Sequence, residues 1–161
     1  MRTFIGIDNG VTATIGIVSG DTSPIMAHVP TKKEQNYTKK KDNITRLDAK
    51  GFADLIGHYN PADVMVVMER PMVNPTRFKA TTSALRCFEA ELTLIEHFGY
   101  PHCYVDSKDW QREMLPKGVS GDDLKKASLD IGNRLFPMFA DFKHPDRDGI
   151  LIAEYARRKN L

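Results

Sequence analysis

Residues 63–69 read DVMVVME: five apolar residues in a row, closed by a glutamate. A continuous apolar run of this length suits a β-strand buried on both faces. Any fold of this chain must therefore cover that strand on either side. It must also answer for Glu69, because a carboxylate at the end of a buried strand is costly unless paired or bound to a cation. Arg70 stands next to it as one partner; a metal ion is the other reading.

The remaining segments supply a mixed α/β set. Residues 3–8 (TFIGID) alternate as a strand, Asn9-Gly10 is a hairpin signal, and residues 13–18 (ATIGIV) return as a second strand. Residues 25–29 make a third, giving an antiparallel meander. Residues 47–59 read as a helix with Phe52, Leu55 and Ile56 on one side. Asn74-Pro75-Thr76 opens a long helix reaching Phe98, with Leu85, Phe88, Leu92 and Ile95 at three- and four-residue intervals. A short strand at 100–105 and a short helix at 109–115 around Trp110 follow. Residues 123–136 are amphipathic through Leu124, Ala127, Ile131 and Leu135, residues 117–121 form a loop, and a last helix runs from near Asp146 to Lys159.

The 161 residues, 41% apolar and 27% charged, suit one soluble domain spanning 1–161 with a single core. No apolar run is long enough to cross a bilayer. The N-terminus passes straight into a strand, which reads as the absence of a signal peptide. Cys87 and Cys103 lack metal or redox spacing, so two reduced thiols and a cytoplasmic location are expected.

The net charge of +2 hides an uneven distribution. Residues 31–46 hold Lys32, Lys33, Lys39, Lys40, Lys41 and Arg46 against Glu34 and Asp42, a local +4, which leaves the rest of the chain near −2. By composition this is a flexible, polar loop. It is either a solvated surface segment or an arm contacting phosphates, since lysine and arginine bind nucleic-acid backbone through charge and counterion release.

Acids stand at the ends of other elements too. Asp8 closes the first strand and Asp148 sits in the first turn of the last helix, with Asp146 and His144 just before it. Each has a structural explanation: Asp-Asn-Gly is good turn chemistry, and negative charge is favourable at a helix N-terminus. Together with Glu69 they also make a set of hard oxygen ligands of the kind that holds Mg²⁺.

In order, the motifs GIDNG, VMER, WQREMLPKG…DLKKASLDIGNRLFP and HPDRDGILIAEYARR resemble the RuvC-type Holliday junction resolvases, in their phage and bacterial branch. The resemblance covers almost the whole chain. It implies a ribonuclease H-like α/β fold, with a mixed five-stranded sheet whose first three strands are antiparallel, flanked by helices. It further implies a structure-selective endonuclease that resolves four-way DNA junctions, leaving 5′-phosphate and 3′-hydroxyl ends. The expected cofactor is Mg²⁺, with Mn²⁺ as a substitute, two ions to a site and about 4 Å apart. One ion falls to Asp8, Asp148 and a fourth ligand, the other to Asp8 and Glu69. That fourth ligand is usually an acid or histidine about one turn before the last aspartate. Pro145 occupies the usual place, so Asp146 is preferred and His144 is its rival.

The family places a basic residue near the scissile phosphate, a position matched by Lys125, with Lys108, Arg112 and Lys126 as weaker phosphate contacts beside Lys39, Lys40 and Lys41. After Glu69, Arg77 and Phe78 lie in a loop where an exposed aromatic could stack on bases at a branch point; alternatively Phe78 packs at the start of the long helix. Ala84, Cys87, Leu94 and Phe98 give that helix a second apolar strip, and the resemblance implies a twofold homodimer through it. An intracellular location follows, the host cytoplasm if the chain is phage-encoded. Other readings are a flap, Y-junction or RNA–DNA-hybrid nuclease of the same fold, or a nonenzymatic DNA-binding relative.

Overall fold

A computed structural model describes residues 2–161. Seven strands form: β1 (Thr3–Ile7), β2 (Thr14–Val18), β3 (Ile25–His28), β4 (Thr31–Gln35), β5 (Asn43–Leu47), β6 (Val64–Glu69) and β7 (His102–Val105). Five α-helices accompany them: α1 (Ala49–Ile56), α2 (Phe78–His97), α3 (Ser107–Met114), α4 (Asp123–Leu135) and α5 (Asp148–Lys159). The main sheet has the order β3-β2-β1-β6-β7, antiparallel across β3, β2 and β1 and parallel from β1 through β6 to β7.

The apolar run at 64–68 lies in this sheet as expected, with Val64, Val66, Val67 and Met68 fully buried. Each such side chain stabilises the fold by roughly 1.5–3 kcal/mol. Because successive side chains point to opposite faces, Val66 and Met68 join Ile5, Ile7, Phe52, Ile56 and Ile95 under α1 and α2. Val67 joins Phe4, Trp110, Leu151 and Ile152 under α3 and α5.

Helix α5 lies unusually close to the sheet. A Cβ on Gly6 would sit 2.3 Å from the Ala153 amide nitrogen, and one on Gly16 only 2.2 Å from Ile150 Cα. Glycines in β1 and β2 thus let the helix backbone rest directly on the strands. Gly149 N–H donates to Thr14 Oγ1 at 3.1 Å, which fixes the helix along its axis.

Several expectations change. The basic stretch 31–46 is not a flexible loop: β4 and β5 pair antiparallel from Thr31↔Leu47 to Gln35↔Asn43, as a separate two-stranded sheet packed beside α2. Both strands are exposed or half-buried along nearly all their length and mostly polar, so no apolar alternation announces them. Leu47 consequently belongs to β5, and α1 is shorter than the 47–59 reading. The connection after β1 runs from Asp8 to Ala13 rather than through a two-residue turn. A 3₁₀ turn at Pro75–Arg77 precedes α2. Helix α2 buries Thr81, Cys87, Glu91 and Ile95 and packs Phe88 and Leu92 against the same core, as the apolar spacing indicates, while Leu85 faces outward. Cys87, placed on a second strip, belongs to the core. Helix α5 begins at Asp148, leaving Asp146 in the loop before it, since Arg147, at φ −130° and ψ 28°, is outside helical geometry. Among the described residues, no helix is long and apolar enough to cross a membrane.

Candidate metal centre

Parallel pairing of β1 and β6 sets Ile7 opposite Met68, so Asp8 and Glu69 emerge at one edge of the sheet. Helix α5, pressed onto β1 and β2, brings its first residue, Asp148, to the same edge, and the preceding loop adds Asp146. One ligand atom each from Asp8, Asp146 and Asp148 lies within 4.8 Å of the others. Thr12, His28, Lys125 and His144 line the same pocket, of about 580 Å³. Glu69 stands outside the tight trio, in an adjoining cleft with Asn9, Met72 and Arg77, but its charge still acts on Asp8.

Each carboxylate is held. Asp8 Oδ1 accepts from the Asn9 amide at 2.7 Å. Glu69 Oε2 accepts from the Trp110 indole at 2.5 Å. Arg70, the alternative partner for Glu69, pairs with Asp106 at 2.8 Å instead. Asp148 accepts from the Ser128 hydroxyl. Asp146, 4% exposed, receives the Asp148 amide at 3.3 Å.

His144 and Asp146 touch rather than compete: Nδ1 of the histidine lies 3.1 Å from Asp146 Oδ1. Its Nε2 is 2.8 Å from the Thr12 carbonyl oxygen, which can only accept, so that nitrogen carries the hydrogen. With both ring nitrogens engaged, the donor set turned toward Asp8 is the carboxylate of Asp146.

The loop carrying both residues is organised by Arg147, 1% exposed. Its Nε donates to Asn133 Oδ1, one terminal nitrogen to the carbonyls of His144 and Asp146, and the other to those of Phe139 and Phe142. All five N–H groups are satisfied, which a buried guanidinium requires. The sequence hid this role: an arginine between two aspartates reads as a surface ion pair. Trp110 as partner to Glu69 and His28 on the pocket wall carried no sequence signal either.

Crowding of acids marks the site electrostatically. Burial, then the charges of Asp148, Glu69 and Asp146, hold the Asp8 carboxyl well above its ordinary value. Burial pushes Glu69 up to about 7 and Asp148 up to about 6, with neighbouring acids adding to both. A hard divalent cation removes this repulsion, and three clustered carboxylates are the donors such an ion takes, so the residues fit Mg²⁺ or Mn²⁺.

A stability profile follows. Unfolded aspartate and glutamate titrate near 3.8 and 4.5. Between those values and the raised folded ones, the folded chain holds protons that the unfolded chain has released, so stability falls as pH rises. Melting in EDTA is expected to drop by several degrees from pH 5 to pH 8, most steeply between 5 and 6 and levelling off above 7, where Asp148 and then Glu69 release their protons in the folded chain too, and Mg²⁺ to reverse most of the loss at pH 8. A flat profile in EDTA would contradict the crowding.

The basic residues divide among four places. Lys125, on α4, faces the acidic pocket; Lys126, next to it, is exposed and does not line it. Lys108 and Arg112 border a separate cleft below the 116–121 loop, with Arg112 also 3.6 Å from Asp109. Lys39, Lys40 and Lys41 lie at the exposed hairpin tip, Arg77 borders the cleft at Glu69, and Phe78 is 72% exposed rather than packed at the helix start.

No protein-family model and no curated protein matches the sequence. Solved structures do match in fold. Thermus thermophilus RuvC in complex with a Holliday junction substrate is 12% identical with a TM-score of 0.62, across 99% of this chain and 95% of that one. A second Thermus thermophilus RuvC structure is 11% identical with a TM-score of 0.59, across 99% and 97%. The chain thus has the α/β, ribonuclease H-like fold of RuvC, with its mixed five-stranded sheet flanked by helices.

Proposed function

We propose that this protein is a divalent-metal-dependent endonuclease that cuts branched DNA, with the four-way junction as its principal substrate. The observation that carries the reading is the convergence of Asp8, Asp146 and Asp148 within 4.8 Å, beside Glu69, at the C-terminal edge of β1 and β6. The fold supports it, since one of the matching structures is RuvC bound to a Holliday junction.

Asp8, Asp146 and Asp148 would hold one metal ion, and Asp8 together with Glu69 would hold the second. Two Mg²⁺ ions, when bound, lower the pKa of water to supply the nucleophile and stabilise the leaving 3′ oxygen. Trp110 and Ser128 fix the orientation of Glu69 and Asp148. Arg147 fixes the loop bearing Asp146, and His144 packs behind that residue. Lys125 neutralises charge at the scissile phosphate. Lys108, Arg112, Lys126 and, at the hairpin tip, Lys39 and Lys41 hold the backbone of the arms. A twofold homodimer through α2 would present two such sites to opposed strands of one junction, and the setting is intracellular.

The test is a panel of four-way junction, flap, Y-form and RNA–DNA hybrid substrates, each with Mg²⁺ and with Mn²⁺. Preferential, symmetrical cutting of the junction with 5′-phosphate products is expected. Preference for hybrid or flap moves the protein to another nuclease class, and no cutting of any of them removes the enzymatic reading.

A further inference from the structure

The β4–β5 hairpin, which the sequence disguises as a loop, leans on α2 and leaves between them a groove of about 990 Å³. Its character differs from the acidic pocket. Tyr37 at the hairpin tip is 69% exposed, and Phe78 and Leu85 of α2 are 72% and 41% exposed, so three large apolar side chains face one channel. Lys40, Lys79 and Arg86 border them, with Asp42 as the acid among the lining residues.

Among the described residues none of these three cations forms an ion pair, whereas Glu34 on the hairpin stem is already taken by Lys32 and Arg46. The Arg86 Nε is buried and has no acceptor. The groove therefore combines exposed rings with unneutralised positive charge.

We infer that this groove binds a single-stranded stretch of nucleic acid, with bases stacking on Tyr37 and Phe78 and phosphates meeting Lys40, Lys79 and Arg86. Duplex DNA offers its phosphates but keeps its base faces stacked inside, so it cannot use the rings. Unpaired nucleotides present both a flat apolar face and a charge, the combination that aromatic-lined basic channels recognise. The inference rests on the nuclease reading for its biological setting. The first turns of α2 separate the groove from the cleft at Glu69, which Arg77 and Thr81 line from the other side. A strand leaving that cleft need cross only one helix, roughly 10 Å.

The test uses the full chain in EDTA, with fluorescence anisotropy of labelled (dT)₁₂ and of a 12-base-pair duplex. Wild type is expected to bind (dT)₁₂ several-fold more tightly than the duplex. Tyr37→Ala should weaken (dT)₁₂ binding by about 5- to 100-fold and leave the duplex affinity unchanged, with Tyr37→Phe restoring it. Arg86→Gln should weaken (dT)₁₂ binding and flatten its salt dependence. Equal affinity for the two ligands, or wild-type (dT)₁₂ binding by both Tyr37→Ala and Arg86→Gln, overturns the proposal. So does a change in oligomeric state by light scattering with DNA binding intact, which would make the groove a protein contact. Junction cleavage in Mg²⁺ is measured on the same preparations: its absence in wild type refutes the nuclease reading and leaves the groove to be judged on binding alone.

Discussion

Asp8→Asn is expected to lower Mg²⁺-dependent cleavage of a four-way junction by about 10³-fold or more, while junction binding stays within about threefold. Metal ions in such sites supply several kcal/mol of transition-state stabilisation, and each 1.36 kcal/mol is a factor of ten in rate. Asp8 is the residue whose loss disturbs both proposed metal positions at once, so its effect should equal or exceed those of Glu69→Gln and Asp148→Asn. Failure to fold cannot mimic this result. Asp8, Glu69 and Asp148 are all held above their ordinary carboxylate range by burial and mutual repulsion, so removing one charge should raise the melting temperature of metal-free protein at pH 8. Trp110, the single tryptophan and the hydrogen-bond partner of Glu69, gives an independent optical readout of cation binding. Rapid cutting by any of the three variants would remove that residue from the site.

Gly16→Ala should be the most damaging conservative substitution in the fold. The added methyl would lie 2.2 Å from Ile150 Cα and 2.4 Å from its amide nitrogen, against backbone that no rotamer change can move. Overpacking in a core costs about 1–3 kcal/mol and occasionally more; here the upper end applies, a fall of about 10 °C in melting temperature at 2–4 °C per kcal/mol. Relief would require α5 to lift from β2, carrying Asp148 away from Asp8. Cleavage should therefore fall further than the unfolded fraction explains. Denaturant titration and junction cleavage at a temperature where the variant remains folded separate the two effects, and a Gly16→Ala protein as stable as wild type would contradict the close packing.

Legibility in the sequence followed burial. The strands β1 and β6 announced themselves because core strands must be apolar, and the acids at their ends stood out against that background. The hairpin at 31–47 escaped because a ribbon exposed on most of its surface has no apolar period to read. The phase of α2 was read only in part: Phe88, Leu92 and Ile95 turn to the core as their spacing indicates, but Leu85 is exposed, and Cys87 and Glu91 are buried because the neighbouring elements widen the covered face. Arg147 was invisible as an organiser, since four of its five acceptors are backbone carbonyls that tertiary structure assembles. The opposition between His144 and Asp146 arose from spacing along one line; in three dimensions the two lie against each other.

The pressing of α5 onto β1 and β2 also sets an order in time. Position 8 leaves the ribosome well before positions 146 and 148, which follow only after all the chain between them. Neither end of the site has a use for its charge until the other arrives. If the proposed cleavage is correct, a nascent chain built this way is harmless to the nucleic acid around it, because the acidic cluster is incomplete in any partly made form.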